Sequence, residues 1–379
     1  MNSINPPLVT LILPIRNESA CIELSLGATL IQDYPASRTE ILIVDGMSDD
    51  DTRQKMRALI DSSHSARPSI RILDNPGKIV PIGLNLALQQ AKGEIIIRVD
   101  GHTRIAPDYV RQCVEALQRT DADNVGGKMN AVGKDFFSNA VALATSVPFG
   151  IGGGRFHYSD KEEWVDTVYM GAWPRRVFEK IGLFDEELVR DQDDEFNYRL
   201  RAAGGKILLS PKIISEYTVR ASSSALWRQY FQYGFWKVRV LQKHPGQMSL
   251  RQFVPPAFVL SLIASILFAL TSFLHPSLIV LLLPAPYFLL LSLFIPLSYL
   301  LANLTASLWT VITKDHTVHN TPFSKVYTIF LLSVVFSILH LSYGLGFWAG
   351  LVKFWNRWAD KTGRCGLSLL SSTKSQAVK

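Results

Sequence analysis

Residues 94–102 read Glu-Ile-Ile-Ile-Arg-Val-Asp-Gly-His, so an apolar run passes directly into polar residues. Three other short apolar runs share this character, at residues 8–13, 41–44 and 70–73. Stretches with helical patterning lie between and after the runs, roughly at residues 19–31, 50–61, 80–91 and 107–119. Alternating strands and helices with continuously apolar strands predict an α/β fold, in which a mostly parallel sheet is covered on both faces.

The residues that follow the apolar runs are candidates for a binding site, because ligands of such sheets lie beyond the carboxyl ends of the strands. The first run is followed by Pro-Ile-Arg-Asn-Glu at residues 14–18. Asp45 directly follows the second run, and Asp100 follows the fourth. We predict functional roles for both aspartates. Ser48 and Asp49 have two interpretations, as site residues or as N-caps of the next helix.

The triplet Asp100-Gly101-His102 has the spacing of two metal ligands on a turn. A carboxylate and an imidazole two residues apart can face one cation, and Mg²⁺ and Mn²⁺ both accept carboxylate oxygens, while Mn²⁺ also tolerates imidazole. We therefore predict a site for Mg²⁺ or Mn²⁺, which would neutralise a departing diphosphate. The alternative for His102 is a turn residue that binds no metal.

Motifs of other nucleotide-binding classes do not occur in the sequence. It has no GxGxxG after a strand and no GxxxxGK[ST], which disfavours dinucleotide oxidoreductases and P-loop NTPases. The glycine-rich segment at residues 150–154 opens no helix in either pattern. We interpret it as a flexible loop, and contact with the substrate is the alternative.

An acidic run, Asp-Gln-Asp-Asp-Glu, occupies residues 191–195 at the start of a helical pattern. The helix dipole favours acidic residues at this end, which accounts for one or two of them. Clustered like charges raise the pKa of a carboxyl group, and a carboxylate with a raised pKa is suited to deprotonating a hydroxyl. The run is therefore a candidate for a general base.

The charge of the chain is unevenly distributed. Of its 379 residues, 19% are charged, which is below the average of about 25%. The net charge of +7 lies entirely in residues 251–379, while residues 1–250 are neutral, and this argues against nucleic acid as a partner. Three dispersed cysteines exclude a disulfide scaffold, and a hydrophobic content of 48% excludes disorder.

The C-terminal third has the composition of membrane spans. Residues 252–313 and 326–352 contain no Lys, Arg, Asp or Glu, whereas one crossing needs about 20 apolar residues. The second stretch suffices for one span and the first for two or three, so we predict three or four transmembrane helices within residues 251–352. The alternative is that these stretches form buried helices of a soluble core. Such helices are rarely this long without a charged residue.

The basic residues after position 352 place the tail, residues 353–379, in the cytoplasm by the positive-inside rule. If the N-terminal domain is also cytoplasmic, the number of spans must be even. Length alone favours three spans, so charge and length disagree. We favour an even number, either four spans or two spans with a re-entrant segment.

Several motifs occur in order along the chain: Pro-x-Arg-Asn-Glu, Val-Asp-Gly-x-Ser-Asp-Asp, Asp-Gly-His, Gly-x-x-x-Arg-Arg, Ile-Gly-x-Phe-Asp and Asp-Asp-Glu-Phe-x-x-Arg-Leu. With this order and spacing, about residues 8–240 resemble the family 2 inverting glycosyltransferases, which have the GT-A fold. The membrane segments, and Asp-Gly-His in place of the commoner Asp-x-Asp, resemble the ExoA-like branch of succinoglycan-type exopolysaccharide glycosyltransferases.

The resemblance implies a nucleotide-sugar donor, usually a UDP-sugar, and a divalent cation, Mg²⁺ or Mn²⁺. The donor-binding residues that it implies are Pro14, Arg16, Glu18, Asp45 and Asp100. By the same resemblance, Asp100 and His102 occupy the position where the diphosphate meets the metal.

The resemblance also implies a general base. Asp193 aligns with the Asp of the family's Glu-Asp motif, and Gln192 stands where the family usually has Glu. This departure leaves Asp194 as the alternative base. The implied reaction is an inverting displacement, in which the base takes the proton of an acceptor hydroxyl.

The segment after the acidic run carries the implied acceptor residues. Processive members of the family have Gln-x-x-Arg-Trp here, and this chain has Gln232-Tyr-Gly-Phe235-Trp236. Since the arginine is missing, transfer of one sugar is favoured over polymerisation. We assign Gln232, Phe235 and Trp236 to the membrane-proximal acceptor side. An interfacial helix at residues 222–245 is a second interpretation, and both can hold.

The expected organisation is a cytoplasmic GT-A domain at residues 1–250, a multi-pass anchor in the cell (inner) membrane at residues 251–352, and the basic tail. The acceptor implied by the resemblance is a polyprenyl-diphosphate-linked saccharide of the undecaprenyl type. Two alternatives come from other classes: a non-catalytic, membrane-anchored subunit that binds nucleotide-sugars or lipid-linked saccharides, and a transport pore gated by the domain. The membrane segments lack the buried acids and arginines that a polar pathway needs.

Overall fold

The structure, a computed structural model, describes residues 5–62, 67–274, 285–314 and 322–360. Its contacts divide these residues into two compact units. The first, called the sheet unit here, comprises described residues up to 131 and residues 154–218. The second, called the helical unit, comprises residues 132–153 and the described residues from 219 onward.

The first half of the sheet unit is parallel, as the alternating sequence pattern predicts. Its strands, in the spatial order β3-β2-β1-β4, are β1 (Val9–Ile15), β2 (Thr39–Asp45), β3 (Ser69–Asp74) and β4 (Ile95–Arg98). The helices of this half are α1 (Ile22–Leu30), α2 (Thr52–Ser62), α3 (Val80–Gln90) and α4 (Tyr109–Arg119). Their bounds lie within a few residues of the predicted ones.

The strands carry alternate side chains to two separate cores. Leu11 of β1 and Ile41 of β2 pack with side chains of α1, α2 and α4 on one face. Ile12 and Leu42, one position further along, pack with α3 and with later helices on the other face. Because successive strand residues point to opposite faces, a strand covered on both sides has to be apolar throughout.

The second half of the sheet is antiparallel. It contains β5 (Thr103–Ile105), β6 (Asn124–Val132), β7 (Glu163–Trp164), β8 (Tyr169–Pro174) and β9 (Ile207–Thr218). Strand β8 pairs antiparallel with β4, so one mixed sheet runs β3-β2-β1-β4-β8-β6-β9-β5, and β7 joins it at β9. Two further helices belong to this half, α7 (Arg176–Ile181) and α8 (Gln192–Ala202).

The helical unit contains four long helices, α9 (Ser223–Lys243), α10 (Leu250–Leu274), α11 (Ala285–Lys314) and α12 (Pro322–Lys353). In the described part of the chain, three segments are long and apolar enough to cross a membrane: Leu250–Leu267, Leu293–Lys314 and Phe323–Lys353. Residues 275–284 and most of the basic tail lie outside the described residues. The even number of spans therefore stays a prediction.

Helix α9 packs closely on the end of α12. A Cβ atom added at Gly234 would come within 2.0 Å of the Tyr343 carbonyl oxygen, and one at Gly346 within 2.0 Å of the Phe231 carbonyl oxygen. Small residues let helix backbones approach in this way, as they do in membrane helix pairs. By its contacts, α9 thus belongs to the helical unit, whereas the sequence analysis places it in the domain that ends at residue 250.

Residues 132–153 leave the sheet unit after β6 and pack within the helical unit. They form α5 (Phe136–Thr145) and the single turn α6 (Pro148–Ile151). The carbonyl oxygen of Phe149 lies 2.8 Å from Nε2 of His340 in α12. Gly150, which the sequence analysis assigns to a flexible loop, lies inside α6, where a Cβ would come within 2.0 Å of the Ala144 carbonyl oxygen. Gly150 therefore has a packing role, whereas a Cβ at Gly152 would meet nothing within 4 Å.

Candidate active site

The loops after β1 and β2 are held together by a compact set of hydrogen bonds. Asn17 has a left-handed backbone (φ 54°), and its N–H donates to Ser48 Oγ at 2.9 Å. Its side-chain amide donates to Asp49 Oδ1 at 2.8 Å and accepts from the Asp49 N–H at 3.0 Å. The N–H of Thr52, at the start of α2, donates instead to Asp50 Oδ1 at 3.0 Å. Ser48 and Asp49 thus join the two loops, and the N-cap interpretation for them is wrong.

Asp45 is fully buried at the end of β2. Its Oδ1 accepts hydrogen bonds from the N–H and the hydroxyl of Ser48, at 3.1 and 2.6 Å. Its Oδ2 accepts one from Nε of Arg53 at 2.8 Å, and Arg53 also pairs with Asp74. Asp45 therefore organises the loop that the sequence predicts to contact the nucleoside.

Two other residues that the sequence predicts to bind the nucleotide-sugar lie beside this loop. Pro14 is buried within β1, and Arg16, just beyond the end of the strand, is exposed. The side chain of Arg16 lies over Gly46, where an added Cβ would be 3.1 Å from Arg16 Cβ. An exposed guanidinium beside a closely approached backbone is suited to an anionic or planar ligand.

Asp100 forms a buried, two-pronged ion pair with Arg98. Nε of Arg98 donates to Oδ1 of Asp100 at 2.7 Å, and Nη2 donates to Oδ2 at 3.1 Å. Burial by itself would raise the pKa of Asp100, but the Arg98 guanidinium outweighs this effect, and the pKa lies below its usual value. Asp100 is therefore held as a carboxylate.

Arg98 also faces the acidic helix. Its remaining nitrogen, Nη1, is buried and has no hydrogen-bond partner among the described residues. Burial lowers the pKa of Arg98, but the carboxylates of Asp100 and Asp193 more than offset this and raise it. The guanidinium thus interacts with the predicted metal-binding carboxylate, Asp100, and with the predicted base, Asp193.

His102 is oriented by Glu18 from the first loop. Nδ1 of His102 lies 3.0 Å from Oε1 of Glu18, and the Tyr217 ring contacts the imidazole edge-on at a centroid distance of 5.2 Å. Gly101 allows this arrangement, because a Cβ there would be 2.7 Å from Ile15 Cγ2 and 3.2 Å from Glu18 Cγ. The structure places Glu18 against the predicted metal ligand.

The acidic run 191–195 divides into residues with different roles. Asp191 precedes α8 with a left-handed backbone (φ 60°). Asp193 is half-buried in the first turn, and burial raises its pKa above the ordinary value of 3.8. Arg98 opposes this rise, while the neighbouring Asp194 and Asp100 carboxylates add to it. A half-buried carboxyl group with a raised pKa is suited to act as a general base.

Glu195, in contrast, has a structural role. It is buried, and both its carboxylate oxygens pair with Arg199, at 2.6 and 3.0 Å. Arg199 also donates to the carbonyl oxygens of Ile181 and Leu183, at 2.6 and 2.7 Å. The pair fixes α8 to the turn before it and so determines where the first turn of α8, with Asp193, lies.

The side chains of Asp100 and His102 have atoms that suit a divalent cation. Within residues 5–62, 67–274, 285–314 and 322–360, no three His, Cys, Asp or Glu side chains already form a complete metal site. Asp100 offers carboxylate oxygens, and His102 offers Nε2, because Nδ1 is engaged by Glu18. An imidazole held by a second carboxylate is the usual arrangement of a metal-binding histidine. A cation bound by two protein ligands would keep positions for diphosphate oxygens.

The predicted acceptor residues lie on α9, in the helical unit. The Phe235 ring packs 5.0 Å from Phe354, and the Trp236 ring 5.7 Å from Phe354. Gln232, one turn earlier, is half-buried. Helix packing accounts for the two aromatic residues, and the acceptor role of all three stays a prediction.

Sequence reasoning missed Arg98 and Arg53, and it did not separate Glu195 from the other acids of the run 191–195. Arg98 had a usable signal, because it is the one charged residue inside the otherwise apolar stretch 95–99, and buried charges are almost always paired. Arg53 had none, since it lies on a helix where charged residues are ordinary.

The mixed sheet of this chain has a counterpart among solved structures. The fold matches the solved mannosyltransferase PcManGT from Pyrobaculum calidifontis, in complex with GDP-Man and Mn²⁺, with a TM-score of 0.51 and 19% identity. The match covers 89% of this chain and 87% of that one. The predicted GT-A fold is confirmed.

Sequence comparison identifies the family. Residues 10–182 match Glycosyl transferase family 2. The succinoglycan biosynthesis protein ExoA of Rhizobium meliloti is 31% identical over 249 residues, which are 65% of this chain and 74% of ExoA. A dolichyl N-acetyl-α-D-glucosaminyl phosphate 3-β-D-2,3-diacetamido-2,3-dideoxy-β-D-glucuronosyltransferase of Methanococcus voltae is 28% identical over 273 residues, 70% of this chain and 84% of that enzyme. The chain belongs to glycosyltransferase family 2 and is a glycosyltransferase that resembles ExoA.

Proposed function

We propose that this glycosyltransferase transfers one sugar, with inversion, from a nucleotide-sugar to a lipid-linked saccharide during synthesis of an exopolysaccharide or another cell-surface glycan. The observation that carries the proposal is the cluster of Arg98, Asp100 and Asp193. One carboxylate of this cluster is held ionised by an arginine, and the other has a raised pKa. The first suits a site for the donor diphosphate and its cation, and the second suits a base.

The donor would lie over the loops after β1, β2 and β4. Arg16 and Asp45 flank the position proposed for the nucleoside. The hydrogen bonds between the loop after β1 and the loop after β2 hold that surface in place. Asp100 and His102 would hold Mg²⁺ or Mn²⁺, which when bound stabilises the charge of the departing diphosphate. A UDP-sugar is the donor we propose, and GDP-Man, which PcManGT binds, makes a guanosine donor the first alternative to test.

Asp193 would perform the proton transfer. Its carboxylate accepts the proton of an acceptor hydroxyl as the hydroxyl oxygen attacks the anomeric carbon. The bond from that carbon to the nucleotide phosphate breaks on the opposite face, so the configuration inverts. Holding donor and acceptor in line supplies an orientation effect in addition to the base.

The proposed acceptor is linked to a polyprenyl diphosphate. The name of the Methanococcus voltae relative specifies a dolichyl-linked phosphate acceptor, and ExoA is named for the synthesis of a polysaccharide. The described residues include three apolar helices of membrane-spanning length, which suit an enzyme whose substrate stays in the bilayer. We further propose that the sheet unit lies on the cytoplasmic side, where nucleotide-sugars are found.

The test combines a transfer assay with one substitution. Purified protein in detergent is given radiolabelled UDP-, GDP- or dTDP-sugars and a polyprenyl-linked saccharide extract, and label that enters the lipid phase is measured. Asp193→Asn should lower transfer by about 10²–10⁴-fold with nucleotide affinity unchanged, while Asp121→Asn, at an exposed carboxylate paired with Lys206, should have no effect. Undiminished transfer by Asp193→Asn excludes this base, and a product with retained anomeric configuration excludes inversion.

A further inference from the structure

We infer that Glu18 is a positioning residue for His102, which it holds with Nε2 directed to the metal. The inference rests on the proposed function, since it concerns the cation that the donor diphosphate requires. The sequence motif assigns Glu18 to the nucleoside instead, so the two roles can be separated by experiment.

The hydrogen bond fixes the protonation pattern of the imidazole. Oε1 of Glu18 lies 3.0 Å from Nδ1 of His102. An ionised carboxylate only accepts hydrogen bonds, so Nδ1 must carry the proton. In a neutral imidazole, the lone pair that can bind a metal is then on Nε2. Without the carboxylate, the tautomer that carries its proton on Nε2 also becomes available, and that tautomer has no Nε2 lone pair for a metal.

The surroundings restrict the ring further. The Tyr217 ring contacts the imidazole edge-on, with a centroid distance of 5.2 Å. The Glu18 chain itself is confined, because its N–H donates to Thr52 Oγ1 at 2.8 Å and its Cγ passes over Gly101. The contact to His102 therefore comes from a side chain whose backbone is tied to Thr52 and whose Cγ lies close to Gly101.

The charge balance gives Glu18 a second effect. Asp100 is already neutralised by Arg98, which lowers its attraction for a cation. A carboxylate behind the imidazole adds negative charge to the site and orients the ring. A site with one compensated carboxylate depends on such support more than a site with two free ones.

The experiment measures Mn²⁺ binding directly, with the full-length protein in detergent. The electron paramagnetic resonance signal of free Mn²⁺ is titrated with and without UDP, GDP or dTDP. Glu18→Ala should weaken Mn²⁺ binding about 10–100-fold, and Glu18→Gln, which keeps an acceptor oxygen, should weaken it less. Glu23→Ala is the matched control, because Glu23 is an exposed glutamate in the first turn of α1. It should leave the Mn²⁺ affinity unchanged.

A double substitution separates positioning from direct ligation. In a His102→Ala background, Glu18→Ala should cause no further loss of Mn²⁺ affinity, because its effect acts through the imidazole. An equal loss in both backgrounds would show that Glu18 binds the metal itself and would overturn the inference. Circular dichroism and the melting temperature of each variant confirm that it is folded.

Two other outcomes also overturn the inference. Wild-type Mn²⁺ affinity in Glu18→Ala, together with weaker metal-free nucleotide binding, would assign Glu18 to the nucleoside. A wild-type protein that binds no Mn²⁺ under any of these conditions has no metal site for Glu18 to support. Sugar transfer is measured in a separate assay. The proposed transferase function is therefore tested by that assay and not by the Mn²⁺-binding results.

Discussion

At the scale of single residues, the pKa of Asp193 leads to a defined pH dependence. The base must be ionised to accept a proton, so kcat falls as the pH is lowered through the pKa of Asp193. Burial raises that pKa above 3.8, which moves the acid limb of the profile upward. The limb is measured as log kcat against pH, with saturating donor and acceptor.

Asp194 provides a sharper version of this test. Its carboxylate raises the pKa of Asp193, while its backbone N–H, 3.0 Å from Asp193 Oδ1, survives a side-chain change. Asp194→Asn should therefore shift the acid limb to lower pH and leave the plateau value of kcat near that of the wild type. Loss of the plateau by about 10²-fold or more would instead identify Asp194 as the base.

Arg98 should be necessary for stability as well as for the site. Arg98→Met would leave Asp100 without its partner in a buried position, which costs about 3–5 kcal/mol of unfolding free energy. Chemical denaturation measures this loss. Adding Asp100→Asn should recover part of it, since the orphaned charge is removed. An unchanged unfolding midpoint in Arg98→Met would contradict the buried ion pair.

At the scale of secondary-structure elements, the backbones of α9 and α12 approach each other so closely that their contact leaves no room for a side chain at its glycines. Gly346→Leu would force a side chain against the Phe231 carbonyl oxygen, which an added Cβ would already approach within 2.0 Å. We expect a loss of about 1–3 kcal/mol, as for other overpacked sites, seen as a lower melting temperature in detergent. Val352→Ala, at a side chain that is 73% exposed on the same helix, is the control and should melt like the wild type.

The elements also show how one acidic run acquires several roles. Glu195 and Arg199 are four residues apart on α8, so their side chains lie on one helix face and can pair. Asp193 lies in the first turn of the same helix, where its carboxylate interacts with Arg98. Helical geometry alone therefore separates a structural acid from a catalytic candidate two positions away.

At the scale of the whole molecule, the topology of the helical unit is testable. The positive-inside rule and a cytoplasmic sheet unit together require an even number of spans. A green fluorescent protein fused after residue 379 should fluoresce, and an alkaline phosphatase fused there should be inactive, because both reporters would be cytoplasmic. Active phosphatase would indicate an odd number of spans or an inverted orientation.

The sequence alone determined the features that depend on local pattern. Continuous apolar runs followed by acids predicted the parallel strands and placed Asp45 and Asp100 at their ends. Two long uncharged stretches predicted helices that are long and apolar enough to cross a membrane, and the order of motifs predicted the family. These features are encoded within short windows, because strand burial, helix periodicity and membrane length each impose a pattern on consecutive residues.

Only the tertiary structure decided which distant residues meet. The pairing of β8 with β4, the contact of Glu18 with His102 and the packing of residues 132–153 in the helical unit join segments that are far apart in the chain. Local pattern cannot specify such partners, because many alternative pairings satisfy the same propensities. The choice among them comes from burial and close packing, which exist only once the chain is folded.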